Sequence, residues 1–429
     1  MSYLITDFGA RPDGSLSTAA IQATIDACYL AGGGEVVIPA GSFLTGGIRL
    51  RSRVTLRLLD GACLLGVRDP EEYTRYLEDA VEPITEEDRE SFAPTAVEGY
   101  VVRSIQPFSR WNNAIIRAIG AHDIAIVGEG SATIDGQNCF DPEGEEHYRG
   151  PHAINLWYCE RVTLTGYTVT DSANWAHAIQ NSRDITARGL TVLGGHDGFD
   201  VRTCDNVLVE NCEFRTGDDC IAGFDNRNVT VRNCYFNCAC TMLRFGGTDV
   251  LVENCRGVAP AEYGFRNGLS LEEKMAGAAT TPACRHNCHG IFLYYCDKRA
   301  AVRETPGRIL IRNSHFSGMD NILSHPFGHM WCCNRALRDV TFENCVIEGL
   351  SLPSDIVSPE EEPLFVTLRD CTVSPMVGHE DMALISAKGA GGILLDGVKL
   401  HGFADPRILT DKPECVSLKN SDFVKSCLQ

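Results

Sequence analysis

A short β-branched run recurs along this chain at a nearly fixed interval, and that interval constrains the fold more than any other feature. The runs read Glu160-Arg-Val-Thr-Leu-Thr, Arg183-Asp-Ile-Thr-Ala-Arg, Asp205-Asn-Val-Leu-Val-Glu, Arg227-Asn-Val-Thr-Val-Arg and Thr248-Asp-Val-Leu-Val-Glu. Their central residues Val162, Ile185, Val207, Val229 and Val250 stand 23, 22, 22 and 21 residues apart. Looser copies follow around Ile309, Val340, Val366 and Ile393. Each run alternates apolar and polar residues, as a half-buried strand must, and a second short run lies about ten residues away. A period of this length with no helix between the strands predicts an all-β solenoid, a parallel β-helix. Strands of successive coils then stack about 4.8 Å apart, so equivalent positions form ladders. Six coils can be laid in register: Ala176-His-Ala-Ile-Gln, His196-Asp-Gly-Phe-Asp, Asp218-Asp-Cys-Ile-Ala, Cys240-Thr-Met-Leu-Arg, His289-Gly-Ile-Phe-Leu and Asp320-Asn-Ile-Leu-Ser.

The repeat changes what the length means. A chain of 429 residues ordinarily suggests two or three domains. The continuous period and the absence of a Pro- or Ser-rich linker predict one domain over 1–429, with a cap over about residues 1–50. One amphipathic helix is expected from Thr18, with Ile21, Ile25 and Cys28 on one face and Gly32-Gly33-Gly34 as its stop. It would close the N-terminal end of the solenoid, where an unpaired edge otherwise invites aggregation. Two excursion loops interrupt the period, at about 69–98 with the acidic run Glu86-Glu-Asp-Arg-Glu, and at about 256–288.

The 20 cysteines find a structural place in the same repeat. Asn211-Cys212, Asn233-Cys234, Asn254-Cys255 and Asn344-Cys345 occupy one position, with Asn313-Ser314 between them. Asn suits a turn-side ladder, and Cys behaves there as a small apolar filler of the coil interior. Cys238-x-Cys240 and Cys332-Cys333 have no second pair at ligand spacing, so no metal is expected, nor any cofactor. The N-terminal residues carry no export signal, which places the expectation in a reducing cytoplasm. A net charge of −19 argues against nucleic acid as a partner, and no apolar stretch approaches the length of a membrane span. Nothing in the sequence speaks to oligomeric state.

The densest chemical signal lies on two adjacent coils. Gly195-His-Asp-Gly-Phe-Asp supplies Asp197 and Asp200, and Gly217-Asp-Asp-Cys supplies Asp218 and Asp219. Asp197 and Asp219 are 22 residues apart, one repeat, and should face each other, with Asp218 at the preceding corner. Carboxylates packed in this way raise at least one pKa and can keep a proton near neutral pH. Glycoside hydrolysis requires such a set: one acid protonates the leaving oxygen and a carboxylate activates water, with a separation of about 6.5–9.5 Å predicting inversion.

These residues resemble glycoside hydrolase family 28, the polygalacturonase-like enzymes. The resemblance runs to about residue 250 through Asp7-Phe-Gly-Ala, Gly32-Gly-Gly-Glu-Val-Val-Ile-Pro-Ala-Gly, Leu44-Thr-Gly-Gly-Ile-Arg-Leu, Ile134-Asp-Gly-Gln, Arg149-Gly-Pro-His and Asp171-Ser-Ala-Asn-Trp. It implies a single-stranded right-handed parallel β-helix and a pectin-derived oligosaccharide substrate. It also implies a catalytic aspartate at Asp197, a general acid at Asp219, and water activation shared by Asp197 and Asp218. Two family motifs are absent. Cys240-Thr241-Met242 stands where the family has Gly-His-Gly, and the carboxylate-binding Arg-Ile-Lys has no clean equivalent. Arg244 is the candidate replacement cation, and His289, read in register with Asp197, Asp219 and Thr241, is the candidate replacement histidine. Trp175, His196 and Asp200 complete the candidate substrate-binding set, with His325 and His329 as weaker additions.

Two other readings stay open from the sequence. A β-helix lyase or epimerase would need a base and a cation on the substrate carboxylate, and the sequence shows no clear Arg/Lys pair beside the acids. A catalytically decayed carbohydrate-binding solenoid fits the two missing motifs, although retention of Asp197, Asp218 and Asp219 together opposes it.

Overall fold

The computed structural model describes residues 1–74 and 109–421. Most of the first expected excursion, residues 75–98, lies outside the described residues. The strands form one 24-stranded and one 12-stranded sheet, and each coil of the chain contributes to both. The recurring run builds one continuous ladder: Val162, Ile185, Val207, Val229, Val250, Ile309, Val340, Val366, Ile393 and Val416 pair in order, all in parallel. All ten are buried except the last, so the period-2 pattern puts one apolar residue per coil into the interior. Each such burial contributes about 1.5–3 kcal/mol. Every coil buries its apolar face only against its neighbours, and the parallel β-helix is the result.

The coil corners explain the Asn-Cys pairs. Asn211, Asn233, Asn254, Asn313 and Asn344 all hold φ between 50° and 55°, a left-handed conformation that Asn tolerates better than other residues with side chains. Their amides bond along the ladder, Asn233 Nδ2 donating to Asn211 Oδ1 at 3.1 Å and Asn344 Nδ2 to Asn313 Oδ1 at 2.9 Å. The following cysteines point inward and are buried, and every cysteine among the described residues is a free thiol.

The helix Thr18–Leu30 buries Ile21, Ile25 and Cys28 against the first coils, as its pattern predicts. In the second excursion the sheet persists to Val258, so the insertion begins about three residues later than the sequence suggests. It carries a second, short helix, Leu271–Ala276, started by a capping box between Ser270 and Glu273.

One register differs from the six-coil alignment, and the alignment's placement of His289 holds over its other reading. Ala178 pairs with Asp200 and Gln180 with Arg202, a shift of two residues from the alignment that set Ala176 beside His196. A two-residue slip leaves every side chain on the same face, so apolar alternation cannot detect it. Thr241 pairs with Gly290, and the His289 N–H donates to Cys240 O at 2.6 Å. His289 therefore continues the column of His196, Asp218 and Cys240, as the six-coil alignment sets it, and not that of Asp197, Asp219 and Thr241 in which it was read as a replacement histidine.

Candidate active site

The strands Phe199–Arg202, Ile221–Arg232, Thr241–Glu253 and Gly290–Tyr294 lie side by side, and the residues just before each form one end of the ladder. The parallel register Phe199 to Ile221 brings Asp197 beside Asp219 one coil on. Gly198 permits this contact, since a Cβ there would stand 2.6 Å from the Phe214 ring and 2.7 Å from Cys220 O. The Asp219 backbone N–H reaches Asp197 Oδ1 at 3.4 Å, and Asp219 Oδ1 accepts the Thr241 N–H at 2.9 Å. The nearest ligand atoms of Asp218, Asp219 and Cys240 lie within 4.8 Å of one another. The expected acidic cluster is thus assembled.

Its members differ in access. Asp197 and Asp218 line a cleft of about 410 Å³, whereas Asp219 is fully buried behind them with Oδ2 3.4 Å from Arg244 Nη1. Burial, followed by the charges of Asp218, Asp219 and Asp200, pushes the Asp197 carboxyl well above the usual carboxylate range, with Arg149 pulling the other way. Burial, then Asp218, raises Asp219 to about 6, again against a nearby arginine, Arg244. The cluster therefore retains a proton near neutral pH, as three adjacent buried acids must.

The cleft walls carry arginines and aromatic rings, with Glu145 and Glu146 among them. Arg149, Arg202, Arg244 and Arg299 all line it. Arg149 Nη2 lies 3.5 Å from Asp218 Oδ2. Arg244 packs over the rings of Tyr295 at 4.1 Å and Trp331 at 4.7 Å, and its Nη2 is buried without a hydrogen-bond partner. Arg202 packs over Trp175 at 4.3 Å and is held bidentately by Asp200 at 2.9 and 3.0 Å.

Of the sequence candidates, Asp197, Asp218, Arg244, His289, Trp175 and His329 line the cleft. Trp175 is 5% exposed with Arg202 over its ring, so it serves as wall rather than as an open stacking face. Asp200 and His196 are both 1% exposed and stand behind the wall: Asp200 fixes Arg202, and His196 faces Arg266 Nη1 at 3.5 Å. His325 bonds Val357 O at 2.8 Å, a structural role. His289 lies in the cleft with Nδ1 3.8 Å from Cys240 Sγ and Nε2 against Arg285, and burial lowers its pKa, so the imidazole is held neutral.

The arginines were largely missed. Arg202 carries a readable signal, because it follows Asp200 by two residues on one strand and so shares its face. Arg149 lies in the quoted Arg149-Gly-Pro-His segment. Arg299, Trp331 and Glu145 come from insertions, where no period marks them. The expectation that no clear Arg/Lys pair stands beside the acids is corrected, since Arg149 and Arg244 lie 3.5 and 3.4 Å from Asp218 and Asp219.

Residues 100–239 match the model of glycosyl hydrolases family 28. An exo-poly-alpha-D-galacturonosidase of Dickeya chrysanthemi is 49% identical over 375 residues, covering 73% of this chain and 60% of the relative. The chain is a relative of the family 28 glycosyl hydrolases. A probable polygalacturonase of Vitis vinifera is 29% identical over 251 residues, covering 53% of this chain and 46% of the relative, so the chain spans about half the length of the curated relatives it matches. In fold it superposes on the hyperthermoactive exopolygalacturonase of Thermotoga maritima with a TM-score of 0.67 at 16% identity, over 94% of this chain and 92% of that one.

Proposed function

We propose that this chain is an inverting glycoside hydrolase that removes galacturonate units from the ends of pectin-derived oligosaccharides. One observation carries the reading: Asp197 and Asp218 open into a cleft walled by four arginines. The acids supply general acid and base, and arginines in a partly desolvated wall suit a carboxylated sugar even on a chain with a net charge of −19. Because Asp219 is fully buried, the proton donor and the water-activating base are drawn from Asp197 and Asp218. Asp219 sets their charge from behind. This departs from the assignment of the acid to Asp219, since a donor must reach the leaving oxygen. Arg244 Nη2 and Arg149 offer the donors that the missing Arg-Ile-Lys would supply. End-on cleavage is supported by the insertions that wall the cleft, which contribute Glu145, Phe265, Arg299 and Trp331, and by the exo-acting relative.

The arginine wall also fits a lyase, whose chemistry needs a cation on the uronate carboxylate. Incubation of oligogalacturonides with the protein separates the two: hydrolysis adds water and leaves a saturated product, whereas a lyase leaves an unsaturated sugar that absorbs in the ultraviolet. An unsaturated product excludes the hydrolase.

A further inference from the structure

Glu145 ends the strand Phe140–Glu145, in a hairpin outside the repeat, and its side chain is 10% exposed in the cleft wall. Its Oε1 lies 3.8 Å from Arg149 Nη1, farther than a hydrogen bond, and its Oε2 is buried with no hydrogen-bond partner. Arg149 is itself 4% exposed, and its Nη2 also stands 3.3 Å from Glu146 Oε2 and 3.5 Å from Asp218 Oδ2. One buried guanidinium thus stands between the substrate cavity, a catalytic carboxylate and a carboxyl with a free oxygen. Burial pushes the Glu145 carboxyl up to about 7, against the pull of Arg149.

We infer that Glu145 is a competitor built into the cleft: ionised, it takes the Arg149 guanidinium, and protonated, it leaves that guanidinium to a carboxylate of the substrate. The inference rests on the uronate reading above. The other charges bearing on Glu145 are Glu146 on its own hairpin and Arg202 from the strand Phe199–Arg202. Arg110, from the segment packed against the hairpin, is engaged by Asp141, Glu71 and Glu143, and Lys274 of the short helix lies over the Tyr148 ring at 4.0 Å. The arginines keep their charge throughout the neutral range, and titration of the aspartate cluster is common to the wild type and Glu145→Gln, so the difference between these two proteins originates at Glu145. A sugar carboxylate is ionised across that same range. One pH unit above the midpoint only about a tenth of the protein presents Arg149 without the Glu145 charge beside it, so affinity for a uronate falls by up to about tenfold.

The test is calorimetric binding of D-galacturonate, and of galactose as the carboxylate-free probe, at pH 6 and pH 8. The wild type, Glu145→Gln and Glu146→Gln are compared. The expected result is a roughly tenfold rise in Kd for galacturonate in the wild type and in Glu146→Gln, less than about twofold in Glu145→Gln, and no rise for galactose. A flat wild-type Kd, or the same rise in Glu145→Gln, overturns the inference while leaving the uronate reading intact. Galacturonate binding no tighter than galactose at either pH overturns both. Should Glu145→Gln fail to fold, carbon NMR of wild-type carboxyls gives an independent answer, because reciprocity requires saturating galacturonate to raise the Glu145 titration midpoint. An unmoved midpoint contradicts the inference.

Discussion

The backbone N–H of Asp219 points at the carboxylate of Asp197 from 3.4 Å, so two acids from neighbouring coils are joined through the main chain that stacks them. Spacing along the ladder is set by the parallel pairing of Phe199 with Ile221, and the acids cannot separate without breaking that pairing. The geometry ranks them: Asp197 and Asp218 meet the cleft, and Asp219 supports them from below.

Asp197→Asn and Asp218→Asn should each lower kcat by about 10²–10⁴-fold, the range of a lost general acid or base, with circular dichroism unchanged. Asp219→Asn should lose less. If Asp219→Asn instead proves the most damaging and Asp218→Asn retains turnover, the proton donor is the buried residue and the ranking by access is wrong.

Turnover should fall as pH drops through about 6. There Asp219 takes up a proton, and the cluster loses the negative charge that sustains its base. Arg244 depresses the Asp219 pKa, so Arg244→Gln should move this acid limb to higher pH. The pH profiles of the two proteins check the sign. A limb that stays put or moves down dissociates Arg244 from Asp219.

Asn233 holds φ at 54° and donates to Asn211 Oδ1 at 3.1 Å. Asn233→Ala should lose about 1–2 kcal/mol from the left-handed backbone and about 1 kcal/mol from the bond, while Asn233→Gly forfeits mainly the bond. Urea denaturation midpoints should fall in the order wild type, Gly, Ala. An Ala variant as stable as the Gly variant removes the conformational reason for Asn at these corners.

The coil ladder from Val162 to Ile393 was legible because burial of one apolar residue per turn writes a period into the sequence, and the Asn-Cys corners follow from the same period. The two-residue slip at Ala178 was not legible, since alternation is blind to even shifts, whereas the place of His289 beside Cys240 was legible in the six-coil alignment. The aspartate cluster was legible because two adjacent coils repeat its members 22 residues apart. Arg299, Trp331 and Glu145 reach the same cleft from insertions, where contact is set by tertiary folding and leaves no local pattern. That Asp200 and His196 lie behind the cleft wall was not legible for a related reason: a strand position fixes the face but not which side chain a neighbouring arginine covers.

The central claim is tested most directly by proton NMR of the first sugar released from an α-linked oligogalacturonide. The account predicts a saturated galacturonate that appears first as the β-anomer and then mutarotates, with release lost in Asp197→Asn and Asp218→Asn. An initial α-anomer, an unsaturated product, or undiminished release in either variant would contradict it.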